Sequence, residues 1–252
     1  MPGRVNSGVR KYLYAVVPDP EPLAGECHGL NGSPVYAIGG GRAALVVSDI
    51  NGARIRPDRA NLAAHHRVLR WLAAQSDVLP MSFGLVADDG PAARRLLARN
   101  ARPLTAQLRR VSGRVEMGVR ITWDVPNFYE HLVAAHPPLG AARDRVFSDG
   151  REPTRDEKIE LGQLFEQTVA RERTACEGRV SGILSTCCHE IKTGKVRSEK
   201  EIANLACLID RGSQQAFESA VLRAASLFNA SYAFEFTGPW PPHNFVEINL
   251  ST

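Results

Sequence analysis

Between Val115 and Trp123 the chain alternates without a break. Val115, Met117, Val119, Ile121 and Trp123 are apolar, while Glu116, Gly118, Arg120 and Thr122 between them are polar or small. Successive side chains of a strand point to opposite faces, so this run is a strand with one face buried and one face wet. Such a strand needs neighbours to satisfy its backbone and a layer to cover its apolar face. The neighbours are sought first upstream. Tyr12–Val17 is short, aromatic and β-branched, and Pro18 ends it. Val35–Ile38 and Ala43–Ile50 are joined by Gly39, Gly40, Gly41 and Arg42, a hairpin signal because glycine supplies the positive φ of tight turns. Val78–Val86 is a further strand, with Pro80 marking an edge or a bulge.

The period changes to that of a helix in two stretches of the same half. In Asp58–Ser76, Leu62, Leu69, Leu72 and Ala73 share a face; of the adjacent His65 and His66, one faces water and the other packs near the core. Pro91–Arg110 is helical, with a bend or split expected at Pro103. The order strand, hairpin, helix, strand, helix, strand predicts an α+β domain with helices on one side of a mainly antiparallel sheet, in a ferredoxin-like version, over residues 1–125. Residues 1–10 are expected to be a loose arm, and Pro18–Ser33, rich in Pro and Gly, a loop.

Residues 126–252 form a second domain, α/β in character with a long helical region. Pro137–Pro153 holds three Pro and two Gly and is expected to be a loop. Thr154 and Glu157 make a capping box that opens a long helix over about 158–192, broken near Gly178 or Gly182. Ile202–Ile209 is a strand, Ser213–Phe228 a helix and Tyr232–Phe236 a strand. Beyond them Gly238, Pro239, Trp240, Pro241 and Pro242 are expected to forbid regular structure, and Phe245–Leu250 closes the chain. Prolines around one Trp make a stiff segment with few conformations to lose, either a structural clasp on the second domain or a preformed apolar patch for a partner.

Composition limits the functions. With 252 residues, 44% apolar and 23% charged, the chain has material for a full core and disorder is excluded as its main state. The net charge of +4 is dispersed, and the densest basic stretch, Arg94–Arg110, is interrupted by Leu and Ala and reads as the wet side of a helix, so nucleic acid is not an expected partner. No apolar run reaches the length of a membrane span, and the polar start Met1–Lys11 lacks a signal-peptide core, so no membrane insertion is expected. Five cysteines, an odd number, point to reduced cytoplasmic thiols.

Candidate chemical motifs fail on spacing. Gly39–Gly41 precedes a strand, whereas a dinucleotide fingerprint opens a helix. Lys192-Thr193-Gly194-Lys195 lacks the upstream glycine of a phosphate loop and has Val196 where magnesium needs a hydroxyl. Cys176, Cys187, Cys188 and His189 lack the two spaced pairs of a structural zinc site. No nucleophile elbow is present, and Glu157 and Glu160 mark a solvated helix start. No cofactor, metal or catalytic residue is therefore assigned. The rival reading, a small-molecule-binding or enzymatic protein, would have to use a diffuse polar site such as His65, His66 and Glu116.

One segment carries identity. Thr237-Gly238-Pro239-Trp240-Pro241-Pro242-His243-Asn244-Phe245-Val246 closely resembles the C-terminal signature of the gas vesicle protein F/L family. Tyr12–Ala15, Val78–Gly84, Gly113–Val119 and Asn204–Arg211 extend the resemblance in order along nearly the whole chain. His243 departs from the usual aromatic, Met81-Ser82 from a motif that commonly carries Arg, and Pro103 interrupts a usually longer helix. The resemblance implies a ferredoxin-like N-terminal part and an α/β C-terminal part. It also implies a non-enzymatic accessory or minor structural role in gas vesicle formation, at the gas vesicle in the cytoplasm. The implied partners are the small hydrophobic shell protein and other gas vesicle accessory proteins, with Gly238, Pro239, Trp240, Pro241, Pro242 and Phe245 as signature or contact residues.

Overall fold

The structure, a computed structural model, describes residues 9–19, 23–39, 41–51, 55–147, 150, 152–248 and 250. Most of the expected N-terminal arm, Gly40 of the hairpin turn, and parts of the 18–33 and 137–153 stretches lie outside the described residues. The chain forms two compact units, Met1–Glu116 with Pro239–Thr252, and Met117–Gly238. The proline–tryptophan segment, expected on the second domain, belongs from Pro239 onward to the first unit.

The first unit is built on strands β1 (Arg10–Pro18), β2 (Val35–Gly39), β3 (Ala43–Ile50), β4 (Leu79–Pro80) and β5 (Val86–Ala87). The sheet order is β2-β3-β1-β4, with β5 also pairing β1. All the described pairings are antiparallel. Helix α1 (Arg59–Ala73) and helix α2 (Gly90–Val111) complete it. The two helices cover opposite faces rather than one. Tyr12, Tyr14 and Val46 pack with Val68, Leu69 and Leu72 of α1. Leu13, Val16 and Leu45 pack with Leu97, Leu104 and Leu108 of α2. The reason is legible in β1 and β3, whose runs are apolar on both sides; a strand buried on both faces needs two covers. The β1–β3 register shifts between Leu13 and Ala15, and Tyr14 and Ala15 then join the same cluster.

Helix α2 runs unbroken through Pro103. Pro103 and Arg99, whose carbonyl loses its helical donor, both lie on the exposed side of the helix. Asp89 caps its start by accepting from Ala92 N, and Pro91 occupies the first turn, where no donor is needed. Asp77 holds the following turn, accepting from Ser112 Oγ at 2.7 Å and from Gly113 N at 2.8 Å.

The second unit is entered along β6 (Arg114–Trp123), the alternating strand. Its sheet has the order β7-β8-β6-β9, with β7 (Glu190–Thr193), β8 (Glu201–Asp210) and β9 (Tyr232–Trp240). Helices α3 (Phe128–Ala135), α4 (Pro137–Phe147), α5 (Arg155–Leu184) and α6 (Gln214–Ala225) accompany it. The stretch expected as a loop from Pro137 is helical to Phe147, because its two prolines occupy a first turn, where a missing N–H costs nothing. The capping box opens α5, which continues through Gly178 and Gly182 because Cys176, Val180 and Leu184 bury one side at helical spacing. β9 extends past Phe236 to Trp240 and is the outer strand of its sheet, a position where the absent N–H of Pro239 is tolerated. The α+β class holds in both units.

Candidate functional site

At Gly238 the backbone takes φ +128, which a side chain rarely adopts, so this signature glycine has a conformational reason. Pro241 and Pro242 are buried and Trp240 is half-buried. A single 3-10 turn, His243–Phe245, then places Phe245, whose side chain has no exposed surface. Asn244 clamps the turn: its N and Nδ2 donate to Oε2 and Oε1 of Glu116 at 2.8 and 2.6 Å. Val246, Ile248 and Leu250 continue onto the α2 side of the first core. Phe245, rather than Trp240, is thus the buried anchor. The clasp reading of the segment matches this geometry within the first unit.

The same contacts account for the residues of the rival reading. Glu116 is only 7% exposed and holds Asn244. His65 is buried and His66 exposed. Tyr12 Oη accepts from Gly84 N at 3.1 Å and lies 2.9 Å from His65 Nδ1. Burial, then the neighbouring His66, hold the His65 imidazole well below its usual range, at about 4, so it is neutral at pH 7. Burial pushes the Tyr12 hydroxyl up to about 12. The Tyr14 ring stacks on His65, and Tyr14 Oη accepts from Leu30 N and pairs with Ser48 Oγ. This is a closed core network in which each ring polar atom already has a partner.

Among the described residues no group of three or more His, Cys, Asp or Glu side chains is arranged to hold a metal ion. His189 Nε2 pairs with Asp210 Oδ1 at 2.7 Å. Burial pushes the Cys176 and Cys187 thiols up to about 11, away from reactive thiolate. Lys192-Thr193 ends β7, and Gly194 N donates to Asn204 O at 2.7 Å, so the segment is sheet edge and not a phosphate-binding turn.

The second unit has a feature that sequence reading did not assemble. Helices α3, α4 and α5 enclose an open cleft of about 810 Å³, floored by Val133, Leu161, Phe165 and Val169. Tyr129 stacks on Phe165 at 5.0 Å. Tyr129 and Phe147 stand at its edge 52% and 56% exposed. Three cationic groups that line it, Arg143, Lys158 and Arg173, are turned to neighbours. Arg143 pairs with Asp144, Lys158 with Glu152, and the Arg173 side chain donates to the carbonyls of Glu201 and Glu199. Tyr129 Oη donates to Glu199 at 2.9 Å, which raises its pKa. The sequence signal was present as Leu161, Phe165 and Val169 at four-residue spacing; which helices would face that stripe was not.

Fold and surface together define a class: a two-unit α+β protein with a returning, buried segment around Phe245, a closed polar core network and an open aromatic cleft. Comparison with known proteins gives the family. The sequence profile described as "Gas vesicle synthesis protein GvpL/GvpF" matches residues 10–247, and the chain belongs to that family. Gas vesicle protein F of Dolichospermum flosaquae is 25% identical over 241 residues, covering 94% of this chain and 98% of that protein. Gas vesicle protein L of a Streptomyces species is 27% identical over 267 residues, covering 94% and 93%. The crystal structure of the gas vesicle protein GvpF from Anabaena shares the fold with a TM-score of 0.85, at 24% identity over 96% of this chain and all of that one. A gas vesicle-associated role follows from the family, which is one of accessory and structural proteins and not a known enzyme family. Among the described residues no helix is long and apolar enough to cross a membrane.

Proposed function

We propose that this chain is an accessory or minor structural protein of gas vesicle formation, acting at the gas vesicle in the cytoplasm without enzymatic activity, and that it binds the hydrophobic shell protein during assembly through the α3–α5 cleft. A shell that keeps water out of a gas space must be apolar on its inner side, so its free subunits are prone to aggregate. A partner that engages them needs an apolar surface open enough to admit a polypeptide. The observation that supports this reading is the cleft itself, with exposed Tyr129 and Phe147 at its edge and an apolar floor. A catalytic site would instead gather titratable groups inward, and here Arg143, Lys158 and Arg173 are engaged by neighbouring carboxylates and backbone carbonyls. The volume also suits a small apolar ligand, the second reading.

The test is co-purification of the wild type and a Tyr129→Ser, Phe147→Ser double variant with the shell protein, together with vesicle counts in cells lacking the gene. Both side chains are more than half exposed, but Tyr129 also stacks on Phe165 and donates to Glu199, so the double variant should melt about 5 °C lower and stay folded at the temperature of the assay. Loss of at least about tenfold in recovered shell protein is expected, since two interface aromatics typically contribute well over 1 kcal/mol. Normal vesicles in the deletion cells, with no association of the wild type, would refute the reading.

A further inference from the structure

Helix α2 carries six arginines and no Asp or Glu, in a chain whose whole formal charge is +4. Its apolar residues, among them Ala93, Leu97, Leu104 and Leu108, are buried in the first core. Arg95, Arg99, Arg102 and Arg109 follow at spacings of four, three and seven, which puts them in one row on the opposite side, and all four are exposed. Among the described residues none of the four has an ion-pair partner, whereas Arg10 pairs with Asp88 and Arg120 lies beside Glu201 and Glu235. The row spans about 21 Å along the helix axis. Like charges at four-residue spacing weaken an isolated helix, and α5, by contrast, mixes both signs along its length.

Beside the N-terminal end of this row lies a cleft of about 460 Å³, lined by Leu85, Val86, Ala92, Leu96 and Leu250 together with Arg95 and Arg99. Asp88 reaches the same rim, where its carboxylate is engaged by Arg10 at 3.4 Å. Charge and apolar surface are therefore adjacent and parallel. We propose that the outer face of α2 and this cleft form a docking surface for an amphipathic helix of a partner protein, with carboxylates along one side and an apolar edge next to them. Carboxylates three and four residues apart on a facing helix match the arginine spacing, and the guanidinium fork suits a carboxylate in bidentate geometry. The exposed residues of α2 are Arg, Ala and Pro, with no aromatic platform for bases and no large apolar tip to enter a bilayer. The surface lies on the first unit and does not depend on the shell-protein reading, which rests on the second.

The experiment uses the full chain and a labelled synthetic helical peptide bearing Glu at three- and four-residue spacing with Leu along the neighbouring edge, and a sibling with Gln for every Glu. Fluorescence anisotropy at low and at physiological salt reads the affinities. The Glu peptide is expected to bind at least about tenfold tighter than the Gln peptide, a gap that narrows with salt, as three exposed ion pairs would give. Arg95→Gln, Arg99→Gln and Arg102→Gln combined should abolish the gap. Ala92→Phe, which fills the cleft and leaves every charge in place, should weaken the Glu peptide about fivefold or more; that separates a built surface from general attraction to a basic helix. Equal affinity for the two peptides, or an unchanged affinity in Ala92→Phe, overturns the proposal. Tighter binding of phosphatidylserine vesicles or of a single-stranded oligonucleotide, lost in the triple variant, would overturn it in favour of a membrane or nucleic-acid surface.

Discussion

Replacing Phe245 with Ala removes the ring that fastens the end of the chain into the first unit. The side chain is fully buried, so the change loses its transfer free energy and leaves a cavity, together about 3–5 kcal/mol. Trp240 is larger but half-buried, and Trp240→Ala should cost only roughly half as much, about 1.5–2.5 kcal/mol. The ranking is the useful quantity, because sequence alone favours the tryptophan. A loss of about 4 kcal/mol lowers the melting temperature of a unit this size by on the order of 10 °C. Two units can unfold separately, so one global midpoint is not assumed. Tryptophans report them apart, with Trp71 and Trp240 in the first unit and Trp123 in the second. In Phe245→Ala the Trp71 transition should move down while that of Trp123, read in a Trp71→Phe, Trp240→Phe background, stays nearly fixed. Stability of Phe245→Ala within about 0.5 kcal/mol of wild type, alongside a loss above about 3 kcal/mol for Trp240→Ala, would refute the assignment of the anchor.

Asn244→Ala removes the Nδ2 donor to Oε1 of the buried Glu116 carboxylate while keeping the backbone donor to Oε2, and should cost about 1–3 kcal/mol in urea denaturation, less in a Glu116→Gln background. His65 is neutral in the folded chain down to about pH 4 but titrates at its ordinary 6.5 when unfolded. Between those values the unfolded state binds the extra proton, so stability present above pH 6.5 falls as the pH drops, by about 3 kcal/mol in all, and His65→Gln should flatten that part of the pH–stability curve. Gly238→Ala places a side chain at φ +128 and should cost about 1–2 kcal/mol, measured as a shifted urea midpoint with unchanged slope. Iodoacetamide at pH 8 should label Cys176 and Cys187 slowly in the native protein and rapidly in urea, because burial holds both thiols up at about 11.

Local patterns carried well where one physical requirement ruled. The alternation of Val115–Trp123 and the Thr154–Glu157 capping box became β6 and the start of α5. Prolines misled where position decided their effect: Pro103 sits on a wet helix side, Pro137 and Pro138 in a first turn, and Pro239 on an outer strand. The helices flanking the first sheet were expected on one side because a helix order does not record which face each helix takes; only the two-sided apolar runs of β1 and β3 hinted at it. In the signature segment, composition marked the right residues but could not rank Trp240 against Phe245, since burial depends on which core the returning chain meets. The α3–α5 cleft was not visible for the same reason: its wall residues lie on three helices whose facing is a tertiary fact.

The return of Pro239–Thr252 to the first unit has a consequence for synthesis. A ribosome makes the chain from its N-terminus, so all of Met117–Gly238 must be translated before Phe245 exists to be buried. The second unit, contiguous in sequence, can fold as it emerges, whereas the first must wait with part of its apolar surface uncovered. A chain arrested after residue 125 would hold both helices and all five strands of the first sheet and still lack the plug that closes its core. A chain that stops short of Phe245 leaves the surface beneath Val246 and Leu250 open to chaperones and proteases.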